Sequence, residues 1–582
     1  MAQQVIHADL LHRGYPFNVE SIGSQVILNR GLELNRNRGD ARGSDAGAAS
    51  GMPQCYYLQN VFPTSRGYSS VHFRASLPPH PFGKSVRASS FHVLGNELGT
   101  SALFSPAYGD NIIYNPAYGG WNSFPIGARV EAKSTVTYLQ GVSYVLYQGV
   151  GLYAYDFQAN TFEQIELEGI EISEILGVTS GKNYLVLWSN NRVYWSSGVD
   201  ATDFVPSLVT GAGSSNVLSS SGQITSCLKI AEGFVVYTAS NAIAASYSGN
   251  ATSPWIFREI PGSAGASSPE TVSYESNEEA HIAWTSSGFQ RVSVRKAEPI
   301  WAELTDSISR GFFGDLDTTT GIPFLNRNAK LDVKVSSLGS RYTAISVRPD
   351  GDSSPFQVAY TWDWGNNRWG KLRFPHVDLF DYREPSFEKQ ITYQDWLDDG
   401  TTYKDLDLAD TTYYDLESRL DDVALTFGEN FGVASEDGSV YQAVQYPDTD
   451  ADNLGEFNFL ASEDTDELEV DVDPPELAAS FPPFGSFIIF GRYKLMRDKD
   501  IILHEVLTDA DFTGTIDAIV HEKTGKIDSV LPITDVDAKV ESLYYTHLRT
   551  DSFSLKLEGK FNLVTLDFVV GMGGRRHSRR TA

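Results

Sequence analysis

The chain is patterned as short apolar runs separated by Gly-containing or polar turns, and stretches of 3.6-residue periodicity are nearly absent. Four segments repeat one design: Tyr144-VLYQGVGLYAYD, Tyr184-LVLWSNNRVYWSSG, Phe234-VVYTASNAIAASYSG and His281-IAWTSSGFQRVSVRK. Each is an apolar run, a turn and a second strand-like run, the signature of a β-hairpin. Their starts lie 40, 50 and 47 residues apart. A hairpin-bearing unit of roughly 40–50 residues predicts the blades of a β-propeller. Two segments with looser spacing, Tyr342-TAISVRPDGDSSPFQVAYTWDW and Leu425-TFGENFGVASEDGSVYQAV, extend the series. A blade that is apolar on both faces cannot bury itself, whereas blades in a ring cover one another and leave short edges. Two β-sandwiches, which also space hairpins regularly, are the competing architecture. The best helical stretch, residues 413–425, is short.

Composition agrees with an all-β chain. Tyr and Phe total 61 against four Met, with 50 Gly, a mixture that favours short strands and tight turns. A length of 582 residues with 41% hydrophobic positions predicts several packed domains. We divide the chain into an N-terminal arm and loop (1–60), propeller blades (61–390), an acidic insertion including the last blade (391–480) and a C-terminal β-domain with a basic tail (481–582). The Gly/Ala/Ser-rich residues 35–51 read as a loop, and Arg38-Gly39-Asp40 within it as a chance tripeptide. No apolar run is long enough for a membrane-spanning helix, so no membrane insertion is expected. The first residues lack the basic and apolar regions of a signal peptide.

Charge changes the picture. The formal net charge is −29, which argues against general nucleic-acid binding. Residues 391–480 hold 25 acidic side chains against Lys404 and Arg419, and so carry most of that charge. Inside this region a Thr-Tyr-x-Asp pattern recurs every ten residues, placing Asp395, Asp405 and Asp415 in register. Such a surface either repels a polyanion or binds cations; a solvated face on an insertion has the same composition. The opposite sign gathers at the C-terminus, in Arg575, Arg576, Arg579 and Arg580.

A search for catalytic chemistry finds no phosphate loop, no dinucleotide fingerprint, no His-Glu-x-x-His and no Gly-x-Ser-x-Gly. No cofactor or metal is therefore expected. Asp448-Thr-Asp450-Ala-Asp452 begins like a calcium loop, but Asn453 and Phe459 stand where Gly and Glu are needed. Asp437-Gly438 reads as a hairpin turn. Trp362, Trp364 and Trp369 flank another turn and suit cross-strand pairing more than sugar stacking. Cys55 and Cys227 exclude a disulfide framework and are expected as free buried thiols.

Several motifs resemble one family, the tail nozzle proteins of short-tailed bacteriophages, also called packaged-DNA stabilisation or tail tubular proteins. They are Cys55-YYLQNVFPTSRGYSSV, Val193-YWSSGVDATDFVPSLVTGAGSS, the Thr-Tyr-x-Asp repeats and Leu563-VTLDFVVGMGGRR. Within the second, Trp195-Ser196, Asp200, Thr202-Asp203-Phe204 and Pro206-Ser207 carry the likeness. The resemblance implies a non-enzymatic virion protein located in the tail. It implies a ring of six copies below a portal adaptor protein, forming part of the DNA exit channel and contacting tail fibre or spike proteins. DNA would pass through without specific binding, and Asp395, Asp405 and Asp415 are the candidate channel-lining residues, since an acidic wall opposes phosphate attraction. The alternative expectation is a carbohydrate-binding or carbohydrate-cleaving propeller.

Overall fold

A computed structural model describes residues 3–7, 26–27, 55–64, 68–75, 92–95, 101–107, 110–115, 120–125, 134–156, 159–217, 222–231, 233–250, 253–275, 279–301, 304–305, 312–316, 323–325, 331–339, 341–349, 355–365, 368–381, 431–434, 440–445, 486–494, 499–521, 527–538, 542–550 and 553–575. Among these residues, five separate four-stranded antiparallel sheets and two four-stranded units that are continuous with a larger sheet form a β-propeller. Blades one to six span residues 92–125, 134–165, 177–216, 224–259, 272–299 and 331–376 in chain order. Within blade six the strands Leu331–Leu338, Tyr342–Pro349, Phe356–Asp363 and Arg368–His376 pair in succession. Blade seven combines Asp378–Asp381, Phe431–Ala434 and Val440–Gln445 with the much earlier strand Tyr68–Ala75.

Tyr68–Ala75 closes the ring. It pairs antiparallel with Val440–Gln445, from Tyr441 opposite Ala75 to Gln445 opposite Val71. The first strands of successive blades touch one another and so lie toward the centre. Blade four reaches blade five through the 3-10 turn Pro269–Thr271, and the first strand of blade seven touches that of blade one. The circle is therefore held at its join by chain from both ends of the propeller, which removes an open edge.

Period-two burial on both faces explains the apolar runs. In Tyr184–Trp188 of blade three, Tyr184, Val186 and Trp188 pack toward blade four. Leu185 and Leu187, between them, pack toward blade two. Blade four repeats this, with Phe234 and Val236 on one side and Val235 and Tyr237 on the other. Alternate side chains point to opposite faces of a strand, so a strand with both faces covered must be apolar at every position. Each fully buried aliphatic side chain stabilises by about 1.5–3 kcal/mol. Local turn chemistry agrees: Gln140 and Gly141 both take positive φ between Leu139 and its partner Val142. That is the two-residue turn whose twist matches a hairpin.

Beyond the propeller, Lys499–His521 and Phe553–Arg575 pair along their lengths as a 23-residue antiparallel ribbon. At ~3.3 Å per residue this is about 75 Å long. Ile527–Ala538 and Ser542–Thr550 cover the outer edge of the first strand. Phe487–Lys494 and Gln3–His7 cover parts of the second. Gln3–His7, placed by sequence in an arm, is thus a strand of this ribbon.

Candidate functional site

Propeller and ribbon meet at a junction built from residues far apart in sequence. Asn60 follows Cys55–Gln59 and precedes Val61–Pro63, in a bend that needs φ +51°. Asn tolerates this left-handed conformation better than most side chains. It is fully buried. Its Oδ1 accepts from the Arg373 backbone N–H of blade six (2.8 Å), and its carbonyl accepts from Val71 N–H of the closing strand (3.1 Å). Phe62 packs at a tilt against Tyr342 of blade six and stacks on Phe431 of blade seven, while the Tyr342 hydroxyl donates to the Pro63 carbonyl (3.1 Å). From the ribbon side, Phe561 N–H donates to Ser70 Oγ (2.9 Å), and Asn562 and Leu563 pair with Ser69 and Tyr68. Two motifs of the family resemblance, 55–71 and 563–576, therefore meet at the Tyr68–Leu563 pair.

The third motif, 193–215, is a loop and two strands on blade three. Ser197 N–H donates to the Asp203 carbonyl, and Gly198 N–H to that of Thr210. Asp200 Oδ1 accepts from Thr202 N–H and hydroxyl, both at 2.8 Å, which holds its carboxyl below the usual range. Asp203 Oδ1 accepts from Val205 N–H, and Trp195 Nε1–H donates to the Gly211 carbonyl (2.8 Å). Phe204 plugs the core between blades two and three. Glu168, ahead of blade three, exchanges backbone hydrogen bonds with Thr202 and Phe204. From this frame Val199, Leu208 and Val209 project with 92%, 75% and 90% exposure.

Buried titratable groups serve the fold. His281 Nε2–H donates to the Lys229 carbonyl (2.8 Å) and Nδ1 accepts from the Tyr237 hydroxyl (3.0 Å). His376 Nδ1–H donates to the Phe374 carbonyl (2.9 Å) and Nε2 accepts from the Ser346 hydroxyl (2.8 Å). Burial lowers the pKa of each to about 4. Lys334, in the first strand of blade six, pairs with Asp378 of blade seven at 2.7 Å. Desolvation pushes the Asp378 carboxyl up, opposed by Lys334 and by the Leu379 N–H. Burial likewise raises the free thiol of Cys227, in the blade three–four core. No group of three metal-ligating side chains occurs among the described residues.

Asp395, Asp405 and Asp415 lie outside the described residues, as do Asp437-Gly438, residues 448–452 and the tail beyond Arg575. Trp362 and Trp369 are a buried cross-strand pair, joined by Trp301 and the half-buried Trp364, whose Nε1–H donates to Thr343 Oγ1. They form the core between blades five and six. Sequence reasoning missed Asn60, Ser70 and the Lys334–Asp378 pair, because nothing local marks a residue whose partner lies hundreds of positions away or in another blade.

No known family's model matches the chain, and no curated protein is similar to it in sequence. Similar solved structures include YCF48 from Cyanidioschyzon merolae, at 12% identity and TM-score 0.36, covering 64% of this chain and 98% of that one. YCF48 bound to D1 peptide has 7% identity and TM-score 0.36, with 66% and 99% covered. The β-propeller domain of Myceliophteria thermophila Cps50 (Swd1) has 9% identity and TM-score 0.32, with 62% and 99% covered.

Proposed function

We propose that the chain is a structural, non-enzymatic virion protein that forms the tail nozzle ring of a short-tailed bacteriophage. In this reading it extends the DNA exit channel, joins a portal adaptor and anchors fibres or spikes. The observation that carries the reading is the junction. Two sequence motifs of the resemblance, separated by nearly the whole chain, meet where the closing strand Tyr68–Ala75 abuts the ribbon strand Phe553–Arg575. A likeness made of scattered chance matches has no reason to converge on one joint. A propeller tied to a long ribbon at both chain ends is also a stiff building block, suited to stacking in a conduit. A closed ring requires a head-to-tail contact between copies.

The test is the mass of the full chain by light scattering, together with its position in assembled particles by imaging. About six copies encircling the tail axis is the expected result. A monomer or trimer absent from that axis would overturn the reading.

A further inference from the structure

Most soluble proteins bury or scatter their large aliphatic side chains, and a cluster held outward on a rigid frame marks an interaction surface. Val199, Leu208 and Val209 are three such exposed aliphatic side chains on one loop. The Gly198 N–H to Thr210 carbonyl bond ties together the two ends of the loop that carry Val199 and Val209, and Val205 lies against Gly169 in the segment just before blade three. That neighbouring segment, residues 163–174, contains five Glu and no Lys, Arg or His. Glu166, Glu168 and Glu171 are all exposed, and the Glu168 backbone bonds tie this acidic strip to the apolar loop. The loop itself, 196–212, adds Asp200 and Asp203 and no cation.

We propose that this face of blades two and three docks a basic, aliphatic-bearing segment of a partner protein. Charge complementarity selects the occupant. An anionic membrane or a nucleic acid meets carboxylates of its own sign. The same face of a second copy brings like charge and no cation. The chain's own basic tail, residues 575–582, has no aliphatic side chain larger than Ala and leaves Leu208 and Val209 uncovered. A segment interleaving Lys or Arg with Leu or Val satisfies both halves of the surface, with aliphatic anchors at the centre and cations at the rim. The assignment stands whether or not copies of the chain form a ring.

The test uses the purified full chain and a labelled synthetic dodecapeptide alternating Leu and Lys, read by fluorescence anisotropy at low and moderate salt. L208S/V209S and E168K/E171K are each expected to weaken binding tenfold or more. E259K/E270K, an equal charge change on blade four and before blade five, should shift it less than twofold. A peptide with Ser in place of Leu should bind at least tenfold more weakly. Equal loss in E259K/E270K, or equal binding of the Ser peptide, would show unspecific charge attraction and overturn the proposal. Absence of binding by the wild-type chain, or retention on anionic vesicles, would also overturn it. All substituted side chains are exposed, and an unchanged melting temperature verifies that each variant is folded.

Discussion

Asn60 satisfies two backbone donors from different blades while sitting at positive φ. N60G keeps the backbone conformation and loses the side-chain bond to Arg373, so it should cost about 1–2 kcal/mol; N60A adds backbone strain and should cost roughly 1–2 kcal/mol more. Urea midpoints will rank the two, and a more stable N60A would contradict the geometry. The buried histidines make a second residue-scale prediction. Their folded pKa of about 4 lies below the ordinary 6.5, so the unfolded chain takes up protons first as pH falls. Their contribution is fully present above pH 6.5 and is lost progressively from there down to about 4, amounting to roughly 2 kcal/mol each at pH 5. H281Q and H376Q should each flatten stability between pH 7.5 and 5; an unchanged slope in both would refute the assignment. Lys334 and Asp378 bridge blades six and seven. K334M removes the cation from buried Asp378 and leaves its carboxyl only the Ser336 hydroxyl and the Leu379 N–H, at a cost of about 3–5 kcal/mol; a loss under 1 kcal/mol in denaturant unfolding would show that the pair is not a latch.

Legibility of the elements follows from how each is covered. The hairpins of blades two to five could be read because their central strands are apolar on both faces, as in Tyr184–Trp188 and Gly233–Thr238. Blade one is not legible in the pattern: its runs are short, and Pro106 interrupts Ser101–Ala107. Blade seven was only half visible, since its fourth strand is Tyr68–Ala75 and the 382–430 segment divides the rest. The ribbon was legible as strand-like sequence but not as a full-length pair, because Asp and Thr punctuate it. Cross-strand register also depends on partners that local patterning does not name. The junction residues were hidden for the same reason. The 163–174 acidic strip drew no sequence reading; it gains an apolar neighbour only because the loop 196–212 holds Val199, Leu208 and Val209 exposed. Gly514 sets an element-scale test, because a Cβ there would lie 2.0 Å from the Glu558 carbonyl oxygen. G514V should split the ribbon locally, at a cost of about 2–3 kcal/mol. Limited proteolysis should then cut within 499–575 while tryptophan fluorescence of the propeller is unchanged. Cleavage spread over the blades instead would mean that ribbon and propeller unfold as one unit.

On the scale of the whole molecule, charge is distributed unlike packing. The described strands build a propeller and a ribbon, whereas most of the net negative charge belongs to residues 391–480. Much of that region lies outside the described residues, in two stretches, 382–430 and 446–485, that flank Phe431–Ala434 and Val440–Gln445 in sequence. If the nozzle reading holds, copies around an axis would repeat this charge with the symmetry of the assembly, and a conduit for a polyanion gains from a wall that does not hold phosphate. D395K/D405K/D415K reverses one charge in each Thr-Tyr-x-Asp repeat and adds six positive units per chain. Particles carrying it should eject DNA more slowly at low ionic strength. The defect should shrink as salt rises and the Debye length falls from about 30 Å at 0.01 M to about 8 Å at 0.15 M. A salt-independent delay would point to misassembly instead of phosphate attraction, and wild-type ejection at low salt would remove these carboxylates from the channel wall.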